Sequence, residues 1–178
     1  MRQLLQITPL PGYPADVGRW LWAMEAVREE NLEVVAGLTQ EELDWEGPDG
    51  QENSIGSLLY HIAAVEMGWL HFDILQLKEL PPGVKADFPY DVFGDDRLTA
   101  IKGVPLAEHV ERLERSRAVF LNAFRGMTLG DWRNLRAPDG EDYEVTPEWT
   151  VFHLVEHEAG HAYQIRSLKR RATHALGR

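Results

Sequence analysis

The chain of 178 residues contains no cysteine. That absence excludes disulfides, removes any protein thiol as a nucleophile, and leaves His and carboxylate side chains to serve as metal ligands. Basic charge is also scarce, with 18 Lys and Arg against 29 Asp and Glu and a formal net charge of -11. Nucleic acid and anionic membranes need a basic footprint, so neither is expected as a partner. The local exception, Arg166, Lys169, Arg170, Arg171 and Arg178, reads as cationic side chains complementing a helix C-terminal dipole. No window approaches the ~18–20 uninterrupted apolar residues of a membrane span. The opening MRQLLQITPLPGYP lacks the sustained apolar stretch and small-residue cleavage site of a secretory signal. The expectation is a cytoplasmic protein whose residues 1–178 form a single domain, long enough to close one apolar core.

What is present is helical periodicity. Apolar residues recur at helical spacing in four long segments separated by long connections, which predicts an all-α four-helix bundle. The first helix starts at Pro14 and Asp16 and runs to about Leu38. The second is capped by Ser54, extends to Leu77, and is ended by Pro81, Pro82 and Gly83. Its apolar residues occupy more than one side, which fits burial among several neighbours or partial cover by a second copy in a homodimer. The third starts near Pro105, with Glu108–Arg112 and Glu111–Arg115 read as surface pairs. The fourth has Thr146 as cap and Pro147 at its first position, and reaches about Leu168 or slightly beyond. The connection over residues 79–104 is long for a small domain, and Tyr90, Phe93 and Ile101 make it too apolar for a free linker.

The two halves echo each other. GLTQEELDW at Gly37 to Trp45 resembles GMTLGDW at Gly126 to Trp132, and a Pro-Asp-Gly turn follows each. Ser54 precedes His61 by seven residues, as Thr146 precedes His153, and Glu66 falls opposite Glu158. Two related helix, loop, helix units are inferred, with the second and fourth helices as the inner pair.

His153, His157 and His161 follow one another at four-residue steps. On a helix, neighbours in such a series share a face with Cβ atoms about 5–6 Å apart, a workable bite for one metal ion. His153 and His161 are separated by ~12 Å along the axis, so one ion takes either the first pair or the second. His61, alone in an apolar run, is the best third ligand, because a buried unpaired imidazole is costly. His153 is then a ligand, an orienting group or a core histidine. The His-Glu-x-x-His pattern is absent, and neither Glu156 nor Glu158 stands where that pattern places its base.

The stretch YHIAAVEMGWL, together with Trp149, His153, His157-Glu158, His161, Gln164 and Ile165, resembles the DinB/YfiT-like family of four-helix-bundle metalloenzymes over nearly the whole chain. The resemblance implies His61, His157 and His161 as metal ligands, with His153 in support. It departs from the family at Ala162 and Tyr163, where many relatives have Arg-Gly, so an anion held by that Arg would lose its partner. Tyr163 is expected to pack or lie half-exposed, Trp149 to anchor the core, and Gln164 to orient a ligand or contact substrate. Three imidazoles suit a divalent transition ion, Zn or Ni first and Fe or Co as alternatives.

The resemblance further implies a small-molecule substrate and activation of a low-molecular-weight thiol for transfer to a small electrophile. A hydrolase using water is one alternative, and a non-catalytic bundle acting through protein contacts in a stress response is another. General-base candidates are Glu66, Glu158 and His153, and the 79–104 connection is the expected cavity wall through Tyr90 or Phe93.

Overall fold

A computed structural model describes residues 5–177. The elements are α1 (Ala15–Val35), α2 (Gln40–Leu43), α3 (Ile55–Gly68) continued by a π-helical turn (Trp69–Ile74), α4 (Pro82–Asp87), α5 (Leu106–Ala123), α6 (Leu129–Arg133) and α7 (Pro147–Ala175). Among the described residues there is no strand, only two isolated antiparallel bridges, Phe93 to Leu98 and Arg136 to Val145. The fold is the expected all-α bundle with long connections. α1 packs chiefly along α7, α5 packs along α3, and α3 and α7 also meet.

The ends of the helices follow from their capping residues. Ser54 and Thr146 accept hydrogen bonds from the amides of Ser57 and Trp149, satisfying donors that a helix start leaves open. Thr39 with Glu42, and Thr128 with Asp131, close reciprocal capping boxes on α2 and α6, so the echo between the halves extends to their turn chemistry. Gly37 and Gly126 carry φ of 75° and 80° after α1 and α5, a left-handed conformation that other residues reach only with strain.

Two boundaries and one burial depart from expectation. The second helix does not stay α-helical to Leu77, because Trp69–Ile74 widens into a π turn. Pro82 and Gly83 open the short α4 instead of only ending a helix, since Pro is well suited to a first helical position. Arg112 is no surface residue: it is buried, donates from Nε to the Asp87 carbonyl, and lies 5.2 Å from the Tyr60 ring centre. The partner Glu108 stays exposed.

Two apolar clusters fill the bundle. One gathers Leu21, Met24, Met67, Leu70, Phe120, Phe124, Trp132 and Leu154; the other gathers Val35, Leu38, Ile55, Leu58, Leu59, Ile62, Leu113, Ile165 and Leu168. Each fully buried side chain of this kind contributes about 1.5–3 kcal/mol relative to exposure. α3 is buried along nearly its whole length. Its apolar sides are covered within the chain by α5, α7 and the 88–101 connection.

On all four long helices a charged residue stands between the residues of the two clusters. Arg28, Glu66, Arg117 and Glu158 are all at most 5% exposed. Arg28 contacts Glu158 at 2.5 Å and Glu66 at 2.7 Å; Arg117 contacts Glu66 and Glu158, each at 3.0 Å. Burial opposes the Glu66 charge, but the Arg117 and Arg28 guanidiniums outweigh it and hold the carboxyl below the usual carboxylate range. Such a set is stable only when complete, because losing one member strands a buried charge.

Candidate metal centre

α3 and α7 bring the three imidazoles together. His61 lies one turn beyond the buried start of α3 and is 6% exposed, while His157 and His161 project from successive turns of α7, half-buried. His157 Nε2 is 3.0 Å from His61 Nε2 and 3.1 Å from His161 Nε2. All three donor atoms lie within 4.8 Å of one another. Ligands at 2.0–2.1 Å around a tetrahedral zinc stand about 3.3 Å apart, close to the spacing found.

The hydrogen-bond chemistry agrees with that fit. A neutral imidazole nitrogen either donates one proton or accepts at one lone pair, so the central His157 Nε2 cannot complement both neighbours. A single cation among three lone pairs satisfies all of them. Their surroundings favour the neutral, ligating form of each ring. Burial first, then the neighbouring His161 charge, lowers His61 to about 4. Burial, followed by the charges of His161, His61 and His153, lowers His157 to about 3. Burial also lowers His161, opposed by its hydrogen bond to Gln164 and by the Glu158 charge.

Gln164 accepts a hydrogen bond from His161 Nδ1 at 2.8 Å, which places the lone pair of that ring on Nε2, facing the cluster. The Nδ1 atoms of His61 and His157 are buried with no partner among the described residues, so packing alone orients those two rings. Phe93 supplies part of it, meeting His61 edge-on with ring centres 5.7 Å apart. The connection carrying Phe93 is tied to α3 where Tyr60 Oη donates to the Tyr90 carbonyl at 2.7 Å and accepts from the Tyr90 amide at 3.0 Å.

The remaining candidate residues lie elsewhere. His153 is outside the cluster, stacked on Trp149 with ring centres 5.1 Å apart and 5.0 Å from Trp69. Trp149 is 47% exposed, so it is a surface platform for His153 and not the expected core anchor. Tyr163 is 74% exposed. Glu66 and Glu158 are each ion-paired with both Arg28 and Arg117.

Helical periodicity does not single out the two arginines. The internal echo holds a signal for them, since Arg28 and Arg117 stand nine residues ahead of Gly37 and Gly126 respectively.

Two cavities lie near the cluster and share no lining residue. One, of about 570 Å³, is lined by Phe93, which packs on His61; the other, of about 380 Å³, is lined by Gln164, the partner of His161.

A helical bundle holding a three-histidine cluster between two inner helices defines a class of metal-binding bundles. Residues 23–165 match the DinB superfamily, and the chain belongs to it. No curated protein matches the chain. The family and the cluster together support a metal-dependent enzymatic role.

Proposed function

We propose that the protein is a metal-dependent enzyme that binds a divalent transition ion through His61, His157 and His161 and activates a small thiol for transfer to a small electrophile. The observation that carries this reading is the approach of three Nε2 atoms from two helices to 3.0–3.1 Å. The ion would contribute Lewis acidity, lowering the pKa of a thiol or of water. Imidazole ligands favour Zn or Ni, with Fe or Co also compatible.

The chain's own residues position and shield. Gln164 fixes the ring of His161, and Phe93 covers one side of His61. The two cavities suit a reaction of two small molecules, one bringing the thiol and the other the electrophile. In that reaction a new carbon–sulfur bond forms, the leaving group departs, and the thiol proton is given up. With Glu66 and Glu158 engaged by arginines, His153, whose ring centre is 6.0 Å from that of His157, is the nearest remaining candidate to take that proton. Water in place of the thiol would make the same site a hydrolase.

The test begins with elemental analysis of protein purified without a nickel column, alongside His157→Ala. One equivalent of metal, lost in the variant while its circular dichroism is retained, is the expected result. Unchanged metal content in the variant refutes the ligand assignment. Metal-dependent conjugates of small thiols with electrophiles, read by mass spectrometry, then separate transfer from hydrolysis.

A further inference from the structure

The larger cavity has a direction. Val65, Gly68, Trp69 and Phe72 line it along one stripe of α3 and its π turn, and His61 stands one turn earlier on the same stripe. Gly68 leaves open space in this stripe: a Cβ there would meet nothing within 4 Å. Phe93 and Val92 form part of the wall, and Tyr143 closes the far end with Asp73. The trough therefore runs along α3 from Val65 to Asp73, roughly 12 Å at 1.5 Å per residue, and at its Phe93 end it lies beside His61.

Asp73 is the feature that its surroundings do not explain. It is 7% exposed, it accepts one hydrogen bond, from Tyr143 Oη to Oδ1 at 2.7 Å, and no cation pairs with it among the described residues. Lys78 lines the same cavity but makes no ion pair with it. Burial holds the Asp73 carboxyl above its usual range, opposed by the Tyr143 hydrogen bond and reinforced by the charge of Glu141. A carboxylate in an apolar site calls for a cationic partner. The walls suit one, because Trp69 and Tyr143, with ring centres 6.0 Å apart, line the cavity beside Asp73, and aromatic rings attract an ammonium group. The rim adds Asp139 and Glu141.

We infer that this trough binds an elongated small molecule with an apolar body and an ammonium end, the ammonium resting on Asp73 beside Trp69 and Tyr143 and the opposite end lying at Phe93, toward the histidine cluster. The reactive role of that opposite end rests on the reading of the cluster as a metal site; the ammonium subsite does not.

The experiment compares 4-phenylbutylammonium with the uncharged 4-phenylbutanol by titration calorimetry. It uses the full chain, both zinc-loaded and chelator-treated, with zinc content measured in each. The ammonium is expected to bind about tenfold tighter than the alcohol, as a charge-assisted contact implies. Asp73→Asn, which can still accept from Tyr143, should abolish that preference. Glu141→Gln should change it less than about twofold, since a rim charge is solvent-screened. Gly68→Leu should weaken both probes about tenfold or more by filling the trough. Equal binding of the two probes, a preference that survives Asp73→Asn, or affinity unaffected by Gly68→Leu would overturn the assignment. A preference present with and without zinc supports the subsite even if the protein proves unable to hold metal.

Discussion

At one end of the contact between α3 and α7, His61 faces His157 and His161; at the other, His153 faces Trp69. A shift of 92 residues, the distance from Ser54 to Thr146, carries His61 onto His153, Val65 onto His157 and Trp69 onto His161. The geometry repeats with the sequence: ring centres are 4.9 Å apart for His61 and His161 and 5.0 Å for His153 and Trp69. The scaffold thus offers similar ring positions twice. Side-chain identity then decides which end can coordinate and which becomes an aromatic surface. The charged centre keeps both halves of the pattern, because the same echo pairs Arg28 with Arg117 and Glu66 with Glu158.

The strongest way to break this comparison is to remove one arginine. Arg28→Met and Arg117→Met should each cost about 3–5 kcal/mol, because both strand a buried carboxylate. Urea unfolding should give the two costs to within ~1 kcal/mol of each other; a large inequality would show that the halves carry unequal load.

Acid comes next. His109 is buried on α5, and burial first, then the Arg112 charge, lowers it from 6.5 to about 4. A histidine kept neutral in the folded state stabilises fully above its unfolded pKa, and that contribution is lost as pH falls from about 6.5 through 4, roughly 3 kcal/mol in all. His61 and His157 of metal-free protein titrate in the same direction, so the part due to His109 is the difference between wild type and His109→Gln in the pH dependence of Tm. No difference would contradict its burial as a neutral ring.

A smaller effect is expected at Gln164. Gln164→Ala should weaken metal binding about tenfold by releasing the ring of His161, read by competition with a chelator. Least is expected from rebuilding the lost end: Val65→His with Trp69→His should add a second, weaker equivalent of metal at His153, because the π turn at Trp69 shifts that ligand off the α-helical register. Elemental analysis that still finds one equivalent would mean the repeated positions are not interchangeable.

Much of this architecture is legible in the residues themselves. Ser54, Thr146 and the two capping boxes mark helix starts by local chemistry, and four-residue histidine spacing is a helical signal that survives any packing. Which of His153 and His161 joins His157 in the cluster is not a local matter, since it depends on the antiparallel register of α3 against α7. Arg28 and Arg117 are invisible to periodicity because a charged residue reads as solvent-facing until its partners on three other helices are known. Asp73 and Tyr143 are 70 residues apart, and only the folded chain makes them neighbours. The π turn at Trp69–Ile74 leaves no recognisable trace, as no Pro or Gly interrupts WLHFDI.

Tyr60 directly precedes His61, and its hydroxyl clasps both the amide and the carbonyl of Tyr90. The segment that brings Phe93 over the imidazole is thereby fastened to the helical turn that bears the imidazole itself. Anything that displaces this aromatic cover must pull on the backbone beside His61, so the cover and the poise of that imidazole are mechanically coupled.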